Sequence, residues 1–210
     1  MSDPRGYAEL AEYRRQTHEI YAQVRSGEAD PEGTWRKFRR QREALFRRHP
    51  QSALDASQRQ TFDGLPYFDY QPQLRVLAEV EPIEEEKPLS VQLEGDGLTL
   101  LRRFGRASFT LHGERAALTL FWIEGYGGGV FLPFRDATSG DETYAGGRYL
   151  LDTIKGADLG RVGDAWVLDF NYAYNPSCAY NAKWSCPLAP LENWLGVLLR
   201  AGEKNYPDAV

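Results

Sequence analysis

The sequence predicts an α+β domain, in which N-terminal helices pack on a strongly curled, mainly antiparallel β-sheet or barrel and a C-terminal helix follows. Three observations carry this prediction. Apolar residues recur at helical spacing before residue 60, short β-branched and aromatic runs without intervening helices follow, and a helical stripe returns near the end. We predict one domain over residues 1–210, with a helical segment at 1–60, a β core at 61–187, and a C-terminal helix and tail at 188–210.

Two amphipathic helices are predicted in the N-terminal segment. In the first, seven residues between positions 7 and 24 fall on one side of a helical wheel, and Gly27 and Pro31 end the pattern. The second helix is predicted over residues 34–49, with Thr34 as its N-cap and a proline directly after it.

The basic residues of the second helix lie on two faces. Five of them, at positions 36, 37, 40, 47 and 48, lie opposite the apolar stripe and would permit contact with nucleic acid or acidic lipid. The net charge of -5 argues against such partners, so we predict neither nucleic acid nor membrane binding. Arg39 and Arg42 fall within or beside the stripe, where a guanidinium needs a carboxylate or a ligand unless its head reaches water. Arg42 is therefore a candidate ligand-binding residue.

Short strands separated by Gly, Pro or Asp are predicted from residue 74 onward. "EGDG" at residues 94–97 and "HGE" at residues 112–114 are typical of hairpin turns, which favours antiparallel pairing. The predicted strands cover residues 74–80, 89–93, 97–101, 107–111, 115–123, 130–134 and 166–170.

A C-terminal helix is predicted after Pro190, with Glu192 near its start and Gly202 after its end. Its apolar stripe would comprise Leu191, Trp194, Leu195, Leu198 and Leu199.

The first candidate site is the loop "VFLPFRDATSGDETYAGGRYL", residues 130–150. Arg135 and Arg148 lie at its two ends, and Thr138 and Thr143 supply hydroxyl groups, so the loop could hold a carboxylate or phosphate. The alternative is that Asp136 pairs with either arginine and caps the loop without any ligand. The glycines match no phosphate-loop pattern, so a nucleotide is not indicated.

The second candidate site is the segment "DFNYAYNPSCAYNAKWSCPLAPLENW", residues 169–194. Asp169 and Asn171 lie two residues apart on a predicted strand and therefore share one face. Asp169 and Glu192 are candidate proton-transfer groups if they are desolvated. The candidate ligand-binding residues here are Asn171, Tyr172, Asn175, Tyr180 and Asn193.

Cys178 and Cys186, the two cysteines of the chain, have several interpretations. Zinc binding is not predicted, because no ligand-like spacing with the histidines supports it. A disulfide across the intervening residues is geometrically feasible, and either residue is a candidate nucleophile, Cys186 because it precedes the predicted helix. Two buried, inert thiols are the further alternative.

Several motifs together resemble one protein family. "FRDATSGDETYAGGRYL", "DFNYAYNPSCAYNAKWSCPLAPLENWL" and "AGEK", with the N-terminal "HPQSAL" and "FDGLPYFDY", are similar to the bacterial and archaeal DUF1684 family of unknown function. The resemblance covers nearly the whole chain and implies no activity. Ser177 and Ala189 stand where prolines are common in the family, which loosens the backbone slightly and affects no polar group.

We therefore expect a pocket for a small polar or anionic molecule where the loop of residues 130–150 meets the segment of residues 169–193. Hydrolase or lyase chemistry with Asp169 as a base is one hypothesis. The alternative is a binding or scaffold protein whose Asn and Tyr networks only fix the fold. The sequence does not indicate which cofactor, if any, the protein binds, and only fold analogy suggests a flavin. The lack of a secretory signal predicts a cytoplasmic protein.

Overall fold

The computed structural model describes residues 3–84, 88–93 and 97–207. Within these ranges, three α-helices are followed by nine strands of a single sheet. The helices are α1 (Pro4–Ser26), α2 (Pro31–Arg48) and α3 (Ala56–Thr61). The strands are β1 (Arg75–Pro82), β2 (Leu89–Leu93), β3 (Gly97–Leu111), β4 (Glu114–Ile123), β5 (Gly129–Asp136), β6 (Arg148–Asp152), β7 (Arg161–Val162), β8 (Ala165–Asp169) and β9 (Trp194–Leu195).

The sheet is a strongly curled, antiparallel half-barrel with the strand order β6-β5-β4-β3-β1-β8-β7. β2 pairs with the start of β3, and the short β9 pairs in parallel with the end of β5. The register between β3 and β4 shifts between Arg103 and Gly105, and such an irregularity bends a strand and increases its twist. The predicted fold class is confirmed.

Capping residues set the bounds of the two long helices. Asp3 accepts a hydrogen bond from the Arg5 amide at the start of α1, and Gly27 follows its last residue as predicted. The prediction that α2 begins at Thr34 is wrong, because Asp30 accepts from the Gly33 amide at 3.0 Å and Pro31 occupies the first helical position. None of the helices in the described residues is long and apolar enough to cross a membrane.

The two helices cover one side of the sheet through aromatic side chains. Tyr21 of α1 and Phe38 of α2 are buried against each other, with ring centroids 5.3 Å apart. Phe38 also meets Tyr172 edge to face at 4.9 Å, and Trp35 donates its indole N–H to the Asn171 carbonyl at 3.0 Å. Buried aromatic rings of this size contribute most of the apolar area that holds such layers together.

The predicted hairpin "HGE" is confirmed between β3 and β4. His112 and Gly113 both have positive φ, 51° and 86°, as a two-residue type I′ turn requires. The other predicted turn, at residues 94–97, falls largely outside the described residues. Residues 97–101 and 107–111, predicted as two strands, form the single strand β3.

The predicted C-terminal helix is wrong. Residues 191–193 form one 3₁₀ turn, β9 follows, and the remaining chain is irregular. The apolar stripe does not become a buried face, because Leu191 is 83% exposed, Trp194 49% and Leu198 48%, whereas Leu199 is fully buried. Pairing of β9 with Arg135 and Asp136 of β5 gives these residues an extended backbone instead.

Candidate functional site

Arg148 is fully buried at the start of β6, and its donors point into the protein. Its Nη2 lies 2.8 Å from Asp136 Oδ2 and 3.0 Å from the Leu199 carbonyl, and its Nη1 donates to the Ala201 and Glu203 carbonyls. Burial lowers the pKa of Arg148, and the charge of Asp136 opposes that effect. The guanidinium therefore ties the irregular C-terminal chain to the sheet.

Gly147 makes this placement of Arg148 feasible. Its φ is +91°, and a Cβ at this position would lie 2.6 Å from the Phe134 carbonyl oxygen. Only glycine combines this left-handed conformation with so close a backbone approach.

The hydroxyl groups of the loop serve Asp136. The Thr138 hydroxyl donates to Asp136 Oδ1 at 2.6 Å and lies 2.9 Å from the Thr143 hydroxyl, and all three side chains are buried. Arg135 lies outside this network, half-buried, and its Nε has no partner in the described residues. The geometry corresponds to the alternative interpretation of the sequence, in which Asp136 pairs with an arginine and caps the loop.

Arg42 belongs to a second buried network centred on Glu203. Its Nε lies 2.7 Å from Glu203 Oε1, which also accepts from the Tyr67 hydroxyl at 2.9 Å. Glu203 Oε2 accepts from the Tyr180 hydroxyl and, at 2.8 Å, from the Asn175 amide. Burial alone would lower the pKa of Arg42, but the charge of Glu203 outweighs it and raises the pKa. Glu203 was not among the sequence candidates, although the "AGEK" motif contains it.

A small cavity of about 70 Å³ adjoins this network, lined by Arg42, Asn175 and Tyr180, with Lys155 and Tyr21 opposite. Tyr21 Oη and Asn175 Oδ1 are buried without a hydrogen-bond partner in the described residues. The volume is enough for roughly two water molecules at about 30 Å³ each. It is too small for an organic ligand of ordinary size, since ligand pockets are typically about 300 Å³ or more.

Two asparagines of the C-terminal motif bridge separate parts of the backbone. Asn171 accepts from the Gln71 amide at 2.8 Å and donates to the Gln71 carbonyl at 2.8 Å. Asn193 accepts from the Thr119 amide at 2.7 Å and donates to the carbonyls of Thr119 and Pro133. All polar atoms of these two side chains are thus used within the protein, as expected for an architectural role.

Glu192 and the cysteines lie apart from these networks. The Glu192 carboxylate forms an ion pair with Arg103 at 2.8 Å near the surface. Cys178 and Cys186 are half-buried thiols, and the Cys178 amide donates to Cys186 Sγ at 3.3 Å. The described residues contain no group of three or more His, Cys, Asp or Glu that could hold a metal ion.

The largest opening lined by a predicted site residue is a half-open cleft of about 500 Å³ between the helices and one end of the sheet. We call it the Asp169 cleft. The end of α1 and the start of α2 form one wall, and β1, β7 and β8 form the other. Asp169 and Tyr172, both predicted site residues, line it and are 4% and 3% exposed.

Asp169 is only half-paired. Its Oδ1 accepts from the Asn171 amide at 3.0 Å and from Asn171 Nδ2 at 2.8 Å, whereas Oδ2 has no hydrogen-bond partner in the described residues. Burial raises the pKa of Asp169 to about 6, and the hydrogen bonds from Asn171 only partly oppose this. Burial also raises the pKa of Tyr172, and the charge of Asp169 adds to the effect.

Three arginines, Arg25, Arg75 and Arg161, line the Asp169 cleft against two carboxylates, those of Glu28 and Asp169. Arg75 pairs with the largely exposed Glu28 at 3.3 Å, and Arg25 donates to the Asp158 carbonyl at 2.6 Å and pairs with the Asp158 carboxylate at 3.5 Å. Arg161 is exposed and has no ion-pair partner in the part of the chain that the structure describes. Arg161 is therefore the cleft arginine that pairs with no carboxylate of the described residues, and its donors are within reach of water or a ligand.

The structure thus distributes the predicted site residues over several places. Asp169 and Tyr172 line the Asp169 cleft, whereas Arg42, Asn175 and Tyr180 line the small cavity. Sequence reasoning missed the cleft arginines, because they come from α1, β1 and β7, and no local motif links positions so far apart in the chain.

The fold and the cleft define an α+β half-barrel protein with a charged opening between its helical layer and its sheet. Residues 60–204 match the family described as protein of unknown function (DUF1684), and the chain belongs to that family, as the sequence resemblance predicted. An uncharacterized protein from Haloarcula marismortui, solved by solution NMR, is similar, with 36% identity and a TM-score of 0.59. The similarity covers 87% of this chain and 98% of that chain. No curated protein matches the chain.

Proposed function

We propose that the protein binds a small organic anion in the Asp169 cleft, and that the ligand carries an O–H or N–H group that donates to Asp169. One observation carries the proposal. A nearly buried carboxylate with one unpaired oxygen lines a cleft of about 500 Å³ that three arginines also line. The free oxygen is not one of the side-chain atoms buried without a partner, so a donor that enters the cleft, from water or from a ligand, can supply its hydrogen bond.

The size and charge of the cleft support a small anionic ligand. Its volume lies within the range of roughly 300–1,000 Å³ that small-molecule sites occupy. Guanidinium groups bind carboxylates and phosphates through paired N–H donors, and Arg75 and Arg161 approach the cleft from neighbouring parts of the same sheet. The hydroxyl of Tyr172 has no partner in the described residues and adds a neutral contact beside Asp169.

Catalysis is an extension of this proposal in which Asp169 acts as a general base. A carboxylate with a pKa of about 6 is ionised at neutral pH and is more basic than an exposed aspartate. Asp169→Asn should then abolish turnover of the bound substrate while leaving its binding largely intact. Unchanged turnover would exclude the role.

The experiment compares malate with succinate, which has the same two carboxylates but no hydroxyl group. Binding is measured by isothermal titration calorimetry, with aspartate and inorganic phosphate as further probes. We expect the wild type to bind malate more tightly than succinate by about tenfold, since one hydrogen bond to a charged group contributes about 1.5 kcal/mol. Asp169→Ala should bind the two equally.

Arg75→Gln and Arg161→Gln test the anionic part of the ligand. Each should weaken the binding of malate and succinate to the same extent, because both ligands lose one guanidinium contact. The matched control is Arg106→Gln, which removes an exposed arginine of β3 that does not line the cleft. Absence of saturable binding by every probe, or equal losses from Arg106→Gln, would contradict the proposal.

The second candidate function is a scaffold without turnover, favoured by the internal pairing of Arg148, Asn171 and Asn193. These residues belong to the most distinctive motifs of the sequence, and all three hold backbone segments together. A scaffold role predicts that the wild type and the Asp169→Ala variant bind none of the probes.

A further inference from the structure

We propose that Cys178 and Cys186 form a redox-active dithiol, in which Cys178 reacts with a hydroperoxide and Cys186 then closes a reversible disulfide. The inference is independent of the Asp169 cleft. It rests on the contact between the Cys178 amide and the Cys186 sulfur, on the groups around the two thiols and on their accessibility.

The two cysteines are held side by side by the local backbone. Cys178 lies in a 3₁₀ turn, Ser177–Ala179, and its amide donates to Cys186 Sγ at 3.3 Å. The chain next to Cys186 is fixed as well, because the Tyr149 hydroxyl donates to the Pro187 carbonyl at 2.6 Å. The hydrogen bond from the Cys178 amide therefore holds the Cys186 sulfur beside the backbone of Cys178 in the folded protein.

The surroundings distinguish the two sulfurs. The Tyr144 hydroxyl lies 3.6 Å from Cys178 Sγ, so it can donate to a Cys178 thiolate. A hydrogen bond from the Cys186 thiol lowers the pKa of Cys178 to about 6, and the hydrogen bond from Tyr144 and the charge of Lys155 act in the same direction. The same contact with Cys178, together with burial, raises the pKa of Cys186.

This asymmetry matches the requirements of peroxide chemistry. The thiolate is the reactive form, so Cys178 is the nucleophile and the protonated Cys186 is the resolving thiol. Both side chains are half-buried, which leaves them within reach of a small oxidant.

The reaction balances in two steps. The Cys178 thiolate attacks the terminal oxygen of the hydroperoxide, the O–O bond breaks, and an alkoxide or hydroxide leaves, which gives a sulfenic acid at Cys178. The Cys186 sulfur, losing its proton, then attacks Cys178 Sγ, an S–S bond forms, and water leaves. The protein loses two electrons to the peroxide, and an external dithiol restores both thiols by exchange.

The test uses the wild-type chain and hydrogen peroxide. Protein is treated at pH 7, quenched with an alkylating agent under denaturing conditions, and analysed by mass spectrometry. We expect an intramolecular disulfide that dithiothreitol reverses, and iodoacetamide should label Cys178 at least about tenfold faster than Cys186, since an ordinary thiol is only a few per cent ionised. Equal labelling rates, or oxidation that yields only intermolecular disulfides, would overturn the proposal.

Two serine variants separate the roles. Cys186→Ser should stop at a sulfenic acid that dimedone traps, whereas Cys178→Ser should react with peroxide much more slowly than the wild type.

Tyr144→Phe is the positioning control: it should shift the pH midpoint of Cys178 alkylation upward and leave disulfide formation intact. A sulfenic acid that accumulates in Cys178→Ser and not in Cys186→Ser would reverse the assignment and contradict it. Circular dichroism verifies that each variant is folded.

Discussion

At the scale of single residues, Glu203 connects more of the chain than any sequence candidate. Its carboxylate accepts from side chains of Arg42, Tyr67 and Tyr180 and from the Asn175 amide, and it is 1% exposed. A buried carboxylate is tolerated only when donors replace its water, and here four do. The Glu203 carboxylate therefore joins α2, the segment before β1 and the C-terminal motif through hydrogen bonds.

We predict that Glu203→Gln destabilises the protein by about 3–5 kcal/mol, since removal of one partner leaves the buried Arg42 charge uncompensated. Urea denaturation measures the change in the free energy of unfolding. Arg36→Ala is the control on the same helix: its pair with Glu32 is exposed, so its loss should cost under about 1 kcal/mol. A comparable loss in both variants would show that burial of the pair is not the cause.

Asp169 gives a pH-dependent prediction. Its folded-state pKa is raised from 3.8 to about 6, so the protonated carboxyl favours folding below pH 4 and that contribution is lost as the pH rises through 6. Asp169→Asn should therefore stabilise the protein at pH 7.5, by up to about 3 kcal/mol at 1.36 kcal/mol per pKa unit, and have little effect at pH 4.

Thermal unfolding at the two pH values measures this difference. The control is Asp164→Asn, because Asp164 is exposed between β7 and β8 and its carboxylate meets water whether the chain is folded or not. A stabilisation by Asp169→Asn that is equal at pH 4 and pH 7.5 would show that ionisation of Asp169 is not responsible.

The sequence identified some of these residues for the right reason. The helical wheel placed Arg42 within or beside the apolar stripe with either a partner or a solvated head, and the structure has it 8% exposed and paired with Glu203. Asp169 was selected as a candidate for desolvation, and it is buried at the end of β8. The partners were not predictable, because Glu203 is 161 residues from Arg42 and only the tertiary fold brings them together.

At the scale of elements, the segment around Asn193 shows how side-chain hydrogen bonds override helical periodicity. Asn193 holds the backbone of β4 at Thr119 and that of β5 at Pro133, where the register between β5 and β6 shifts. These three hydrogen bonds hold Asn193 against the backbone of β4 and β5, and the chain continues from there in an extended conformation instead of a helix. β9 then extends the sheet by two residues.

We predict that Asn193→Ala releases this segment from the sheet. The Thr119 amide loses its buried acceptor, so its hydrogen exchange should accelerate by at least about tenfold, while the free energy of unfolding falls by about 2–3 kcal/mol. NMR-detected exchange measures both. The amide of Leu101, buried elsewhere in the same sheet, is the internal control, and equal acceleration at both amides would indicate global rather than local loosening.

Strands were predicted correctly from the sequence where their own residues show a clear β pattern, and were missed where they do not. β2 was predicted with its observed bounds and β4 to within one residue, because apolar and polar residues alternate in β2 and β4 ends in the run Phe121, Trp122 and Ile123. β6 was missed, since all five of its residues are buried and it shows no alternation, and it begins with an arginine. β7 and β9 have two residues each, and only their partners make them strands.

At the scale of the whole molecule, helices and sheet share the largest of three apolar clusters in the described residues. A single cluster joins Ile20 of α1, Phe38 of α2, Leu118 of β4, Leu150 of β6 and Leu199 near the end. A second cluster joins Phe46 of α2 to Phe62, Tyr180 and Tyr206, and a third lies within the sheet, so the shared cluster is the part of the core that couples the helices to the sheet. The three predicted segments, residues 1–60, 61–187 and 188–210, differ in composition, but each contributes residues to the shared cluster. That they form one domain stays a prediction.

We predict that the chain unfolds in one cooperative transition. Circular dichroism at 222 nm reports mainly on α1 and α2, whereas tryptophan fluorescence is weighted toward the sheet because three of the five tryptophans, Trp122, Trp166 and Trp194, lie on strands. Loss of one layer exposes the apolar face of the other, so both signals should give the same urea midpoint. A helical transition at a clearly lower midpoint would show that residues 1–60 fold separately.

The central claim is that the Asp169 cleft binds a small anion with a hydrogen-bond donor. The most direct measurement is an NMR titration of the ¹⁵N-labelled protein with malate, in which each amide reports its own surroundings. We predict saturable shifts at Gly27, Arg75, Gly160 and Arg161, which line the cleft, and loss of these shifts in Asp169→Ala. Absence of saturable shifts, or shifts confined to residues around Arg42 and Cys178, would contradict the claim.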